Sequence, residues 1–201
     1  RNSRSIDRSD DQVNLMKVIK YPSLGSWDDL LKRPVMDTRS LADTVSSIIE
    51  DVKQNGDVAL RTYSSKLDKV GIDDFLVSED EYLEAEALVP QDLKDALSVA
   101  KANIESFHAI DMYESRVIET MPGVLCWKKS LPIEKVGIYV PAGSAPLFST
   151  VLMLAIPAQL AGCREIVMCS PPDANGRMNA ATLYAARVCG VTNVYKVGGA
   201  Q

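Results

Sequence analysis

The segment at residues 135–150 constrains the fold most strongly, because an alternating apolar strand runs there through a proline-containing turn into an apolar helix. Strand periodicity places Val136, Ile138 and Val140 on one face of the strand and Tyr139 on the other. In an open α/β sheet, ligands bind beyond the carboxyl ends of the strands. Tyr139 lies one residue from the end of its strand, so we predict that it contacts a ligand.

The turn after this strand is suited to an anionic ligand. Pro141 and Gly143 end the strand, and Ser149 or Thr150 can cap the helix that follows. Backbone N–H groups at the start of a helix attract negative charge. We therefore expect the turn to face a bound anion.

The same alternation of strand and helix continues to the last residue. The predicted elements are a helix at 149–161, a strand at 165–170, a helix at 179–189 and a strand at 193–197. Right-handed crossovers bring the carboxyl ends of the three strands to one edge of the sheet, where Tyr139 and Gln201 become neighbours. The predicted fold class is α/β, with an incomplete Rossmann-like βαβαβ unit of parallel strands over residues 116–201, truncated at its C-terminal end.

An N-terminal helical layer is expected before this unit. Residues 1–15 are almost wholly polar and predict a disordered tail, and residues 16–115 predict an arm followed by helices. The expected helix starts are Asp37, Asp57, the capping box that begins at Ser78, and Pro90. After the helices, two extended pieces around Pro122-Gly123 predict a hairpin.

Charge and hydropathy exclude two classes of partner. The chain has 201 residues, 46% of them hydrophobic, and a formal net charge of −5. Without a cluster of lysine and arginine, this acidic balance argues against a nucleic-acid partner. The longest apolar stretch, 151–162, is interrupted by Pro157 and Gln159 and is too short to span a membrane. A soluble, cytoplasmic protein is expected.

The residues suited to metal binding or nucleophilic catalysis form no recognisable motif. One histidine and four cysteines without paired spacing give no metal site, and no catalytic residue is assigned. His108 falls on the pattern of an amphipathic helix and is interpreted as a packing or surface residue. Cys169 is the alternative nucleophile, but no histidine base accompanies it in its motif. The acidic run at 79–86 is interpreted as a solvated helix face rather than a cation site.

Longer motifs follow one another in order along the chain: Val136–Ala155, Ala161-Gly-Cys163, Cys169-Ser-Pro-Pro172, Cys189-Gly-Val191 and Val197-Gly-Gly-Ala-Gln201, with Gly56–Tyr63 and Asn103–His108 upstream. Together these motifs resemble the first half of the histidinol dehydrogenase family. The resemblance covers nearly the whole chain from Met16 onward.

The resemblance implies an enzyme that depends on NAD and zinc and oxidises L-histidinol to L-histidine in two successive hydride transfers, the last step of histidine biosynthesis. It also implies a homodimer, because the family builds its site across a subunit interface. In the family, the tyrosine of Gly-x-Tyr-x-Pro and the glutamine of Gly-Gly-Ala-Gln contact the dinucleotide, and these residues are Tyr139 and Gln201 here. The zinc ligands and a Glu-His acid/base pair are expected beyond Gln201, so the resemblance places no catalytic or metal-binding residue in this chain.

Two alternatives to this interpretation stay open. One is a dehydrogenase of the same family that oxidises another small polar alcohol, and the other is a non-catalytic α/β binding module. Neither Gly-x-Gly-x-x-Gly nor Gly-x-x-x-x-Gly-Lys is present, so glycine motifs alone do not support nucleotide binding. On the residues alone, Tyr139 is equally a strand tyrosine packed under a helix, and Gln201 a polar residue at a chain end.

Overall fold

The chain divides into two compact units, Arg1–Ser40 and Leu41–Gln201. The computed structural model describes residues 18–33, 39–111, 115–142, 146–191 and 193–201. In the first unit, a 3-10 turn at Leu24–Ser26 leads into helix α1 at Trp27–Leu31. The predicted tail, the predicted cap Asp37 and the turn residue Gly143 lie outside the described residues. None of the helices in the described ranges combines the length and the apolar character that a membrane span requires.

Four further helices precede the sheet: α2 at Arg39–Asn55, α3 at Asp57–Tyr63, α4 at Glu79–Leu88 and α5 at Gln91–His108. The capping box of α4 is confirmed, since the Ser78 hydroxyl accepts from the Glu81 N–H while the Glu81 carboxylate accepts from the Ser78 N–H. The predicted cap at Asp57 is wrong. Gly56 takes the cap position with a φ of +55°, which glycine adopts without strain, and Asp57 becomes the first helical residue.

The predicted hairpin is confirmed. Strand β1 at Ile118–Met121 pairs antiparallel with β2 at Val124–Cys126, and Gly123 in the turn has a φ of +81°. A residue with a Cβ atom is strained in that conformation, which explains the glycine. Both strands are exposed along their whole length.

Three parallel strands form the central sheet in sequence order: β3 at Lys135–Tyr139, β4 at Glu165–Ser170 and β5 at Asn193–Lys196. Helix α6 at Phe148–Leu160 connects the first two strands, and α7 at Ala180–Val188 connects the last two. The register aligns Tyr139 with Cys169, and Cys169 with Tyr195. The three carboxyl ends therefore meet at one edge, which confirms the predicted α/β fold with parallel strands.

One face of the sheet is covered by helices. Ile166, Met168 and Val194 are buried there among apolar side chains of α4, α5, α6 and α7. Each large aliphatic side chain that is fully buried stabilises the fold by about 1.5–3 kcal/mol, so this face holds most of the core. Helices α4 and α5 thus share a core with the sheet, and the division at residue 116 stays a prediction.

Helix α6 begins one residue earlier than predicted and is capped differently. Leu147 occupies the cap position without a side-chain hydrogen bond, and its carbonyl accepts from the Thr150 N–H at 2.9 Å. Ser149 and Thr150 lie inside the first turn, so the prediction that one of them caps the helix is wrong. The helix continues through Pro157 to Leu160, in agreement with the predicted helix at 149–161.

The segment at residues 70–77 covers the outer edge of β5 and part of the opposite face of the sheet. Two backbone hydrogen bonds hold it to the strand: the Val77 N–H donates to the Val194 carbonyl at 2.9 Å, and the Lys196 N–H donates to the Phe75 carbonyl at 2.8 Å. Together they place Leu76 opposite Tyr195 in antiparallel orientation. A small second core is formed by Val70, Ile72, Phe75 and Val197. No pattern in the sequence predicted this pairing.

Candidate functional site

The phenol of Tyr139, the last residue of β3, reaches across the carboxyl edge of the sheet. Its hydroxyl oxygen accepts a hydrogen bond from the Gly199 N–H at 3.1 Å. Gly199 follows β5, so this contact joins the end of β3 to the loop after β5, the two outer strands of the sheet. Tyr139 is 43% exposed. Because the hydroxyl acts as an acceptor here, its proton is available for donation to a ligand.

Gln201 lies in the same loop, two residues after Gly199. Its Nε2 donates to Oδ2 of Asp68 at 2.9 Å. Its Oε1 is buried and has no hydrogen-bond partner within the described part of the chain. A buried carbonyl that has lost its bonds to water without gaining others costs about 1–3 kcal/mol. The atom therefore marks a place where a hydrogen-bond donor is expected.

Asp68 is a member of this site that the sequence did not reveal. It ends a single π-helical turn, Ser64–Asp68, that follows α3. Burial raises the pKa of its carboxyl above the ordinary value, and the hydrogen bond from Gln201 acts in the opposite direction. The two residues are 133 positions apart, so no local motif connects them.

Two glycines allow the loop after β5 to pass close to these side chains. A Cβ atom on Gly198 would lie 2.7 Å from Cβ of Pro171 and 3.1 Å from Oδ1 of Asp68. A Cβ atom on Gly199, where φ is +55°, would lie 2.9 Å from Oε1 of Gln201. The contact with Cβ of Pro171 requires glycine at position 198, and the positive φ favours glycine at position 199.

A cavity of about 440 Å³ opens at the same edge, between the loops after β3 and β4 and the start of α7. Its lining includes prolines and polar side chains, among them Pro141, Pro171, Pro172, Ser170, Arg177 and Thr182. Ser170 and Thr182 are only 3% and 4% exposed. Pro171 borders both the cavity and Gly198, so the cavity adjoins the loop that contacts Tyr139. Its volume lies within the range of small-molecule sites.

The start of α7, which borders this cavity, is capped by its own side chain. Oδ1 of Asn179 accepts from the Ala181 N–H at 3.0 Å and from the Thr182 N–H at 3.2 Å, so this residue caps the helix and Ala180 begins it. Two of the free N–H groups at this helix start are therefore satisfied within the protein. Much of the turn that was expected to face an anion, residues 143–145, lies outside the described residues.

The alternative nucleophile gains no support from its surroundings. Cys169 lies on the same face of the sheet as Tyr139, and burial raises the pKa of its thiol above the ordinary value. A nucleophilic cysteine needs the opposite shift, because the thiolate is the reactive form. His108 ends α5, where its ring packs edge-on against Phe107 with centroids 5.3 Å apart.

The acidic run at 79–86 has a structural role that its sequence did not predict. Its ion pairs are Glu79 with Arg187 at 2.7 Å, Glu84 with Arg177 at 2.6 Å, and Glu81 with Lys196 at 3.1 Å. These pairs join α4 to α7, to the loop before it and to β5, so the interpretation as a solvated face alone is incomplete. Within the described ranges, no three His, Cys, Asp or Glu side chains are grouped to hold a metal ion.

Comparison with known proteins gives matches along most of the chain. The family profile described as histidinol dehydrogenase matches residues 31–201. The histidinol dehydrogenases of Bacteroides thetaiotaomicron and Bacteroides fragilis are each 51% identical to this chain, over 187 and 186 residues. These alignments cover 93% and 92% of this chain and 44% of each relative. The chain therefore spans less than half the length of the curated relatives it matches.

A solved structure is similar as well. The crystal structure of histidinol dehydrogenase from Elizabethkingia anophelis matches with a TM-score of 0.86 and 49% sequence identity. The match covers 90% of this chain and 42% of that chain. The likeness therefore extends to sequence and to fold over the same part of the molecule.

Proposed function

We propose a function for this chain on the basis of its family, because the matches show that it belongs to the histidinol dehydrogenase family. The protein that carries this chain is proposed to be an oxidoreductase that converts L-histidinol to L-histidine with NAD, in two successive hydride transfers. Within it, Tyr139 and Gln201 hold part of the dinucleotide. The activity is a proposal for the whole protein, because the chain spans 44% of its curated relatives.

The unsatisfied carbonyl of Gln201, in the loop held by the phenol of Tyr139, is the observation that carries the proposal. Both groups lie at the carboxyl edge of a parallel sheet, where dinucleotides bind in folds of this class. One group offers an acceptor and the other a donor. Together they suit a ligand that carries both kinds of group, such as a ribose hydroxyl or a carboxamide. The adjoining cavity adds apolar walls against which a ring can pack.

When bound, NAD supplies the acceptor for the hydride that leaves the carbinol carbon of the substrate. The residues of this chain bind the dinucleotide and orient it. The phenol of Tyr139 and the amide of Gln201 offer hydrogen bonds, and Gly198 and Gly199 let the backbone of the loop lie close to them. Orientation of this kind lowers the barrier because the reacting atoms are held in one geometry before the reaction. We assign these residues to binding, not to proton transfer.

The described residues do not fit a zinc site. A catalytic zinc takes three protein ligands, and no such group of side chains occurs in the part of the chain that the structure describes. No step of the reaction is therefore derived through zinc from this chain. A cytoplasmic homodimer belongs to the same proposal, and exposed apolar side chains of the hairpin, including Ile118, Met121 and Leu125, support an interface.

Binding of NAD and turnover of L-histidinol, measured in the protein that carries this chain, test the proposal. Calorimetric titration gives the Kd for NAD, and the formation of NADH gives the rate. Tyr139→Phe removes the hydroxyl and keeps the ring, so we expect NAD affinity to fall by about three- to ten-fold. Tyr184→Phe removes a phenol hydroxyl from α7, outside the site, and should leave the Kd unchanged.

Three outcomes would count against the proposal. A wild-type protein that does not bind NAD removes the cofactor from it. Formation of NADH from another small polar alcohol but not from L-histidinol changes the substrate and favours the related dehydrogenase. Equal losses of affinity in the Tyr139→Phe and Tyr184→Phe variants would show that the effect is not local to the sheet edge.

A further inference from the structure

The carboxylate of Asp68 has one observed role, which is to hold the amide of Gln201. Oδ2 of Asp68 accepts from Nε2 of Gln201 at 2.9 Å, and burial raises the pKa of the carboxyl. Among the described lysines and arginines, none forms an ion pair with this carboxylate. A partly buried carboxylate without a cationic partner is costly, so its position here needs an explanation.

The chemistry of the two groups explains the orientation of the amide. The two ends of a glutamine amide are nearly equal in shape, but one end donates hydrogen bonds and the other accepts them. An ionised carboxylate only accepts, so the NH2 group of Gln201 must turn toward Asp68. Oε1 then faces the other way, and in this position it is buried without a partner.

We propose that Asp68 is a positioning residue, whose carboxylate fixes the amide of Gln201 so that Oε1 accepts a hydrogen bond from NAD. The group on the ligand is a hydroxyl or an amide N–H, because only a donor satisfies a carbonyl oxygen. This inference rests on the proposed function, since it assigns a role within the same NAD site. It adds a residue from the helical region to a site otherwise built from strand ends.

The backbone of the loop is arranged around this pair of side chains. A Cβ atom on Gly198 would come within 3.1 Å of Oδ1 of Asp68, and one on Gly199 within 2.9 Å of Oε1 of Gln201. The first glycine leaves room for the carboxylate and the second leaves room for the carbonyl. Close packing on both sides limits the rotation of the amide and helps to maintain the orientation that Asp68 sets.

A variant series in the protein that carries this chain separates positioning from folding. Asp68→Asn keeps the shape but adds a donor, so Gln201 can bind with either end of its amide. We expect the Kd for NAD to rise by about three- to ten-fold and the KM for NAD to rise with it, while kcat changes by less than about two-fold. Asp68→Glu keeps an acceptor-only group and should recover most of the lost affinity. Asp73→Asn removes the same charge from a nearby segment and should leave the Kd unchanged.

Gln201→Met provides the second half of a double-mutant cycle. It removes both ends of the amide, so it should weaken NAD binding at least as much as Asp68→Asn does. If Asp68 acts through Gln201, the double variant binds NAD no more weakly than Gln201→Met alone, because the interaction that Asp68 orients is already absent.

The outcomes distinguish this inference from the function on which it rests. An unchanged Kd in Asp68→Asn, with weaker binding in Gln201→Met, overturns the positioning role and leaves the NAD site intact. Additive losses in the double variant, or an Asp68→Glu variant no better than Asp68→Asn, overturn it as well. Absence of NAD binding in the wild-type protein overturns the proposed function and this inference together.

Discussion

The two faces of the parallel sheet are built from neighbouring residues yet have different surroundings. Met168 and Val194 are 0% exposed on the face that packs against the helices. The next residue along each strand, Cys169 or Tyr195, faces the other side of the sheet and is only partly buried, under the short segment 70–77. Tyr139, which lies beside Cys169 on that face, is more exposed than either. Because successive side chains of a strand point to opposite faces, one sheet carries a packed core on one side and a ligand-accessible edge on the other.

The difference between the faces separates stability from function. The helix-covered face gains free energy from burial, so losses of volume there should act on the unfolding equilibrium. On the second face, side chains such as Tyr139 keep polar groups in reach of a ligand, so their replacement should act mainly on binding.

Replacement of Met168 by alanine should cost the most. This side chain is fully buried, and we expect the free energy of unfolding to fall by about 2–5 kcal/mol, because a cavity is left in a packed core. Urea denaturation of the protein that carries this chain measures the change. Cys169→Ala, one position along on the other face, is the control and should cost about 1 kcal/mol or less. Equal losses in the two variants would contradict the difference between the faces.

The ion pair between Lys196 and Glu81 should contribute the next largest amount. Lys196 is 8% exposed, and its ammonium lies 3.1 Å from Oε1 of the carboxylate. Lys196→Met leaves Glu81 without this partner, and we expect a loss of about 1–2 kcal/mol at neutral pH, allowing for partial solvent screening. A loss no larger than that of an exposed pair such as Lys135 with Glu165 would contradict this role.

The same pair should give stability that depends on pH. Burial raises the pKa of the Glu81 carboxyl, but the Ser78 N–H and the Lys196 ammonium outweigh it, so the pKa lies below the ordinary value of 4.5. A lowered folded-state pKa means that the contribution is fully present above pH 4.5 and is lost as the pH falls through the folded-state value. In the Glu81→Gln variant, the free energy of unfolding should therefore fall less steeply as the pH is lowered below 4.5, as measured by denaturation at a series of pH values. An unchanged slope in this pH range would refute the assignment.

Gly199→Ala should have a smaller effect on stability, confined to the edge of the sheet. Its φ of +55° disfavours a Cβ atom, which would also lie 2.9 Å from Oε1 of Gln201. We expect a loss of about 1 kcal/mol in the free energy of unfolding together with weaker NAD binding. Gly71→Ala, where a Cβ atom would meet nothing within 4 Å, is the matched control. An unaltered Kd for NAD in Gly199→Ala would remove this loop from the binding site.

The reactivity of the native cysteines tests the difference between the two faces of the sheet without any substitution. Cys126 is exposed, burial raises the pKa of Cys169, and burial raises the pKa of Cys189 in the main core to about 11. Alkylation near neutral pH should therefore label Cys126 first, Cys169 more slowly and Cys189 last, as followed by mass spectrometry. In the urea-unfolded protein, the three thiols should be alkylated at similar rates. Faster labelling of Cys169 than of Cys126 in the folded protein would contradict the assignment of an inert thiol.

Local signals in the sequence were sufficient to predict the helices and strands. Contacts between residues far apart in the chain could be identified only from the structure. The capping box at Ser78 depends on residues three positions apart, so its pattern could be recognised. Tyr139 could be assigned to the carboxyl edge because strand periodicity and crossover handedness determine that position. By contrast, Asp68 meets Gln201 across 133 positions, and no local pattern specifies which surface carboxylate the final loop will approach.

The same limit explains the smaller errors. The acidic run was interpreted from the helix dipole alone, while its partners Arg177 and Arg187 reach it from about a hundred positions away. The start of α6 was placed at Ser149 because hydroxyl caps are common, but the chain reaches Leu147 already turned for the first backbone bond.

The backbone contacts between residues 75–77 and β5 have a consequence for how the sheet can grow. The exposed border of a sheet is a template on which a foreign strand can assemble, and such assembly leads to fibrils. Here the backbone groups of Phe75 and Val77 already pair with that border, so an incoming strand would first have to break these hydrogen bonds. Among the described residues no strand pairs with the outer edge of β3, so an added strand would displace fewer existing hydrogen bonds there than at β5.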